Sequence, residues 1–215
     1  MERIADKNHI INTRDPKGLK AGLKRGRHVL LSGGVVAFPT ESFYGLGVNA
    51  LDEKAIRLLF KIKQRDKNHP VLILIPSLDS LDRFVVDIPD LAFKLMDRYW
   101  PGGLTLLLKA GPEISNLLTA NTGKIGVRLS SHHIATALAQ SIDNPITGTS
   151  ANISGQPPCI NTDEVLRQMG TDIDLILDGG ETQGGLGSTI LDVTIDPPHV
   201  LREGMITSEQ LSEFF

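Results

Sequence analysis

Short apolar runs of strand length alternate with amphipathic helical segments along the whole chain. No stretch rich in Ser, Pro and Gly interrupts them. That interleaving confines the chain to an α/β fold around a mixed sheet, in one unit. Asp15-Pro16 reads as an N-cap followed by proline at the first helical position. Leu19, Leu23 and Leu30 mark the buried face of that helix, with Gly22 and Gly26 beside them, and Gly33-Gly34 ends it. Residues 35–39 read as a buried strand. Asp52 caps a second helix carrying Ala55, Ile56, Leu59, Phe60 and Ile62 inward. Leu91, Leu95, Met96 and Tyr99 give a third, stopped by Pro101-Gly102-Gly103, and Ile134, Ala135, Leu138 and Ala139 a fourth. Thr162 is expected to cap a helix through Met169, and Thr207 with Gln210 forms a capping box for a last short one. Further strands are expected at 70–75, 105–109, 125–129, 146–150, 175–177, 189–194 and 200–202.

Length and charge narrow the class. At 215 residues the chain has room for one large domain or two small ones. Its net charge of −3 argues against a protein that holds nucleic acid by bulk charge. Residues 1–28 nevertheless carry eight Lys or Arg against three acids, a basic rim that could attract an anion such as a nucleotide. A single cysteine, Cys159, forms no internal disulfide and fits a reducing cytosol, so a cytoplasmic location is expected. The first twelve residues are charged and have no apolar core, so they do not read as a signal peptide. The apolar runs are strand-sized and too short for a membrane span.

Several familiar motifs are missing or misplaced. Gly45-Leu46-Gly47-Val48-Asn49-Ala50 has the G-x-G-x-x-A form, but it does not sit between a strand and a helix as a dinucleotide site requires. There is no P-loop, no G-x-S-x-G and no H-E-x-x-H. His132 and His133 are adjacent and should not point the same way on a helix or strand, and one cysteine does not make a structural zinc site. What remains is an inventory of cations, hydroxyls and glycine turns. Thr40, Ser42 and Tyr44 would share one side of an extended segment. Lys63 and Arg65 follow a helix and could grip one polyphosphate, Arg by its fork and Lys as a point charge. Residues 147–155 pack small hydrogen-bonding side chains between two glycines. The Gly184–Gly187 run could receive an anion on its backbone N–H groups. Arg128 and Arg202 lie in or at the end of apolar strands, and a buried strand arginine needs a partner. No nucleophile–base pair is evident. The set suits phosphate or carboxylate binding and nucleotidyl transfer, where positioning and charge stabilisation carry most of the catalysis.

With these motifs in order, the chain resembles the YrdC/TsaC family of L-threonylcarbamoyladenylate synthases. The resemblance runs from about Asp15 to Gly204 and rests on PTESFYGLG at 39–47, KIKQR at 61–65, WPGGLTLLL at 100–108, GVRL at 126–129, TSANISG at 149–155, GST at 187–189 and LREG at 201–204. It implies a YrdC-like α/β fold, a twisted, mixed, mostly parallel sheet flanked by helices around a deep cavity. It also implies one domain over 1–215, with its core at about 15–204, and the short form of the family. The implied reaction is nucleotidyl transfer: L-threonine, bicarbonate or CO2, and ATP give L-threonylcarbamoyl-AMP and pyrophosphate. The product would serve threonylcarbamoyladenosine modification of tRNA, with the threonylcarbamoyl transferase machinery as partner, weak tRNA or RNA binding possible, and no membrane. By position, Lys63, Arg65, Ser150 and Asn152 match the catalytic KxR and SxN residues. Arg65, His69, Lys124, Asn152 and Arg202 would bind ATP, and Thr40, Ser42, Tyr44, Arg128, Ser150 and Ser188 would bind L-threonine. Mg2+ is expected with ATP, with no side-chain metal ligand assigned.

The chain departs from the family pattern at Gly103, which replaces a proline, and at His69, Leu74, Lys124 and Ile160-Asn161. Two other readings stay open: an RNA-binding protein without catalysis, and a YciO-like paralogue with a different acceptor. The intact Ser150-Ala151-Asn152 favours the synthase over that branch.

Overall fold

The computed structural model of the chain describes residues 10–215. The reading of the first nine residues, including their share of the basic rim, lies outside the described residues. Among the described residues the strands are β1 (Ile10–Asn12), β2 (Val36–Pro39), β3 (Tyr44–Gly47), β4 (Ile73–Leu74), β5 (Val85–Val86), β6 (Leu104–Ala110), β7 (Lys124–Arg128), β8 (Ile146–Thr147), β9 (Thr149–Ser150), β10 (Leu175–Asp178), β11 (Thr189–Asp192) and β12 (His199–Arg202). The helices are α1 (Pro16–Leu31), α2 (Glu53–Ile62), α3 (Asp90–Tyr99), α4 (Asn116–Thr119), α5 (His133–Ile142), α6 (Thr162–Met169) and α7 (Ser208–Ser212).

The strands form two mixed sheets. The first has the order β1-β10-β2-β3-β9; the second runs β12-β11-β6-β7-β4-β8, with β5 also paired to β6. The α/β class and the cavity stand, but the single, mostly parallel sheet does not. β1/β10, β10/β2, β11/β6 and β4/β7 are parallel. The pairs β2/β3, β3/β9, β4/β8, β5/β6, β6/β7 and β11/β12 are antiparallel. A four-residue loop joins β2 to β3, which is enough for an antiparallel hairpin and far too short for a parallel crossover.

The strand expected at 146–150 is divided at Gly148. β8 pairs with β4 in the second sheet and β9 with β3 in the first. A Cβ on Gly148 would lie 2.5 Å from Leu72 Cδ1 and 2.9 Å from Leu74 Cγ, so only glycine lets the backbone cross between the sheets there. Ser150 therefore sits where the sheets meet.

Local signals hold elsewhere. Asp15 Oδ1 accepts from Lys17 N and Gly18 N, both at 2.9 Å, with Pro16 opening α1. A Cβ on Gly26 would lie 2.7 Å from Leu138 Cδ1, so this glycine sets how closely α1 lies on α5. These two helices cover a core of Leu30, Phe38, Leu138, Leu175 and Leu177. A larger core gathers Leu59, Phe84, Leu95, Leu106 and Val127 from α2, α3, the second sheet and the segment between them. Each such side chain contributes about 1.5–3 kcal/mol when fully buried, which fixes the sheets that carry the site. The cap of α6 is Asn161 rather than Thr162: its Oδ1 accepts from Glu164 N at 2.9 Å, and Thr162 is already helical. The capping box of Thr207 and Gln210 is present. Among the described residues no helix is long and apolar enough to cross a membrane.

Candidate active site

A cavity of about 840 Å³ opens along the second sheet. Thr105 and Leu107 of β6, Lys124, Gly126 and Arg128 of β7, and Ile190 and Asp192 of β11 all line it. Alternate residues on neighbouring strands share a face, so this is one side of the sheet. Thr40, Ser42 and Tyr44 from the β2–β3 hairpin, Arg65 from the turn after α2, Ser150 of β9, Ser188 before β11 and Arg202 of β12 add to the polar lining. Nine of the residues expected to bind substrates thus share one space. Lys63, His69 and Asn152 are not part of its lining.

Thr40 and Ser42 reach the cavity from a turn rather than an extended segment. Thr40 N and Oγ1 both donate to Phe43 O, and Ser42 N donates to Thr40 Oγ1. The Tyr44 hydroxyl donates to Gly180 O at 2.7 Å, so its proton is committed.

Arg128 is buried, and its partner is Glu41 from the same hairpin turn. Nη1 donates to Glu41 Oε1, while Ser130 Oγ holds the other carboxylate oxygen at 2.6 Å. Burial pulls the guanidinium pKa down, and Glu41 opposes the shift. Arg128 Nε is buried with no hydrogen-bond acceptor among the described residues. A buried donor without a partner is costly, and in a cavity wall it suits an anionic ligand. Sequence reasoning missed Glu41, which reads as a surface carboxylate in a polar turn.

Lys63 turns inward instead of pairing with Arg65 on a phosphate. Gln64 between them has φ 50°, in the left-handed region, and sends the two side chains apart. Lys63 is 1% exposed. Its Nζ donates to Ser150 O at 2.5 Å, Asn152 O at 2.7 Å and Asn152 Oδ1 at 3.3 Å. Burial, then the nearby Arg65 charge, pushes its pKa down to about 7. Asn152 stands behind Ser150, accepting from Ser150 Oγ at 2.5 Å and donating to Gln156 O at 2.5 Å. Lys63 and Asn152 therefore brace the loop that presents Ser150.

Arg65 lines the cavity while Nε and Nη2 donate to His69 O (3.2 Å) and Pro70 O (2.8 Å). His69 is exposed and joins this network through its carbonyl. Lys124 Nζ pairs with Asp192 Oδ2 at 2.8 Å. Burial raises the Asp192 pKa, but the bonds from Lys124 and Thr194 more than reverse this and hold it low. Arg202 donates through Nε and Nη2 to Ser188 O, and through Nη2 to Ser188 Oγ at 3.2 Å. Across the cavity wall, the backbone N–H groups of Gly185, Leu186 and Gly187 meet no acceptor among the described residues. They remain open to an anion.

Two other expectations resolve plainly. The rings of His132 and His133 do stack, at 5.0 Å and 17°, because they straddle a helix cap where neither helix nor strand geometry separates neighbours. Cys159 is buried, and burial pushes its thiol up to about 11, which suppresses nucleophilicity. Among the described residues no three His, Cys, Asp or Glu side chains gather as a metal site. The carboxylates lining the cavity are Asp192 and Glu203. That donor set suits a Mg2+ ion carried mainly by substrate phosphates rather than by a protein cage.

A family model named Sua5_yciO_yrdC, described as telomere recombination, matches residues 28–204. The threonylcarbamoyl-AMP synthase of Pyrococcus abyssi is 40% identical over 84% of this chain and 53% of its own length. That of Bacillus subtilis is 36% identical over 97% of this chain and 59% of its own. The chain thus spans little more than half the length of these relatives. The crystal structure of P. abyssi Sua5 complexed with L-threonine superposes with a TM-score of 0.90 at 36% identity, over 96% of this chain and 60% of that one.

Proposed function

The chain belongs to the Sua5/YciO/YrdC family, and on that premise we propose that it is a nucleotidyltransferase making L-threonylcarbamoyl-AMP and pyrophosphate from L-threonine, bicarbonate or CO2, and ATP. One observation carries this reading: the threonine set (Thr40, Ser42, Tyr44, Arg128, Ser150, Ser188) and three of the ATP cations (Arg65, Lys124, Arg202) line the same cavity. The names of the relatives, and the bound L-threonine in the P. abyssi crystal, support the choice of substrate.

The chemistry follows from the layout. Arg128 takes the threonine carboxylate, leaving the amine free to add to CO2. A carbamate forms as the amine loses a proton. Its oxygen attacks the α-phosphorus of ATP, a P–O bond forms, and the bond to the β-phosphate oxygen breaks, releasing pyrophosphate. Arg65, Lys124 and Arg202 offset phosphate charge in a site from which water is partly excluded. Lys63 and Asn152 hold Ser150 in place. Mg2+ would come with ATP and offset charge on the departing pyrophosphate, held mainly by the phosphates, since the cavity carboxylates Asp192 and Glu203 are already engaged by Lys124 and Thr194 and by Ser208. The product would pass to a transferase that modifies tRNA.

The test is pyrophosphate release by the full chain with each substrate omitted in turn. Release that requires both L-threonine and bicarbonate supports the reading; release without threonine contradicts it.

A further inference from the structure

Ser188 sits at the centre of a hydrogen-bond chain whose direction is fixed. Thr105 Oγ1 donates to Ser188 Oγ at 2.8 Å. Arg202 Nη2 donates to the same oxygen at 3.2 Å. A serine hydroxyl has two acceptor lone pairs and one proton. Both lone pairs are engaged, so Ser188 can act on a ligand only as a donor. Ser188 and Thr105 are 4% and 1% exposed, yet both line the cavity. The surroundings favour an anion. Arg202 holds Ser188 from one side, and Arg128 is close enough for its charge to pull the Arg202 pKa down further, after burial. Among the described residues, the carboxylate paired with these two guanidiniums is Glu41, on Arg128.

We infer that Thr105 is a positioning residue: by donating to Ser188 it aims the serine proton at the carboxylate of the amino-acid substrate. This rests on the reading of the cavity as a threonine site. Thr105 lies in an apolar strand between Leu104 and Leu106 and reads there as ordinary core. Its methyl has a separate packing role, because a Cβ on Gly126 would lie 3.2 Å from Thr105 Cγ2. The two roles can be separated by substitution. Thr105→Val keeps the methyl and shape but removes the donor. Thr105→Ser keeps the donor and removes the methyl.

The experiment is calorimetric titration of the full-length wild type, T105V, T105S and T105A with L-threonine and, separately, with ATP, alongside steady-state kinetics. Without the Thr105 donor, one Ser188 lone pair is left open and the serine proton is no longer held toward the substrate carboxylate. T105V and T105A should weaken L-threonine binding about three- to tenfold, the range of a single net hydrogen bond. T105S should stay near wild type, ATP affinity should be unchanged in all three, and the kinetic loss should fall on the threonine KM rather than kcat. Wild-type threonine affinity in T105V and T105A overturns the inference. So does a loss in T105S equal to that in T105V, or an equal loss of ATP affinity, either of which marks a packing role. If the wild type itself binds no threonine, the reading of the cavity falls and the inference with it. Threonine binding by the wild type with T105V unaffected removes the inference alone.

Discussion

Arg128 and Glu41 form an ion pair in which both side chains are nearly buried, at 6% and 9% exposure, and it ties β7 to the turn of the β2–β3 hairpin. The pair keeps a guanidinium charged inside the protein before substrate arrives. Removing one partner from such a pair leaves the other charge buried and uncompensated.

Glu41→Gln should therefore lower stability by about 3–5 kcal/mol. Threonine should then restore part of the loss, because its carboxylate becomes the counter-ion of Arg128. Thermal unfolding with and without L-threonine checks this. The threonine-induced rise in Tm is expected to be larger in the variant than in the wild type.

Lys63→Met keeps the length of the side chain but removes a donor from three oxygens, of which Ser150 O keeps Asn152 N, Asn152 Oδ1 keeps Ser150 Oγ, and Asn152 O is left unpaired among the described residues. A buried acceptor left unpaired costs about 1–3 kcal/mol together with the order of the loop. Turnover should fall at least about tenfold while the fold survives. Urea unfolding and pyrophosphate release on the same sample separate the two effects.

Arg65→Ala removes a cavity cation and frees the carbonyls of His69 and Pro70. A charge-assisted phosphate contact contributes about 1.5–3 kcal/mol, so turnover should drop at least about tenfold. The loss should appear in ATP-dependent steps with threonine binding retained. Wild-type turnover in this variant would remove Arg65 from the site.

His132 accepts from Ile134 N as the cap of α5, and burial, then the neighbouring His133, pushes its pKa down from 6.5 to about 4. The unfolded chain then binds more protons than the folded chain between these values. Stability should fall as pH drops through that window, with the full loss below about pH 4. Discounted for partial exposure of the ring, the loss is about 1–2 kcal/mol. His132→Asn keeps a capping acceptor without the titration, and its urea midpoint should vary less between pH 7 and 4.

Much of the architecture was legible because local chemistry dictates it. The Asp15-Pro16 cap, the Asp52 cap and the Thr207 capping box each sit where the sequence puts them. The division into two sheets was not legible. It depends on Gly148 approaching Leu72 and Leu74, residues more than seventy positions away, and no periodicity in 146–150 marks it. The site residues were found through ordered motifs, whereas their roles depend on long-range contacts. Lys63 reads as a surface cation beside Arg65 until Gln64 turns the chain inward. Glu41 and Thr105 were missed because a carboxylate in a polar turn and a threonine in an apolar strand are both ordinary. Only Arg128 and Ser188, brought across the fold, give them a purpose.

The central claim is that one cavity joins threonine, CO2 and the adenylyl group of ATP. Incubation of the full chain with carbon-labelled bicarbonate, L-threonine, ATP and Mg2+, followed by separation of the nucleotides, tests it most directly. The account predicts an adenylate that carries the labelled carbon and forms only when threonine and ATP are both present. ATP converted to AMP and pyrophosphate with no label in the adenylate, or no adenylate at all from folded protein, would contradict it.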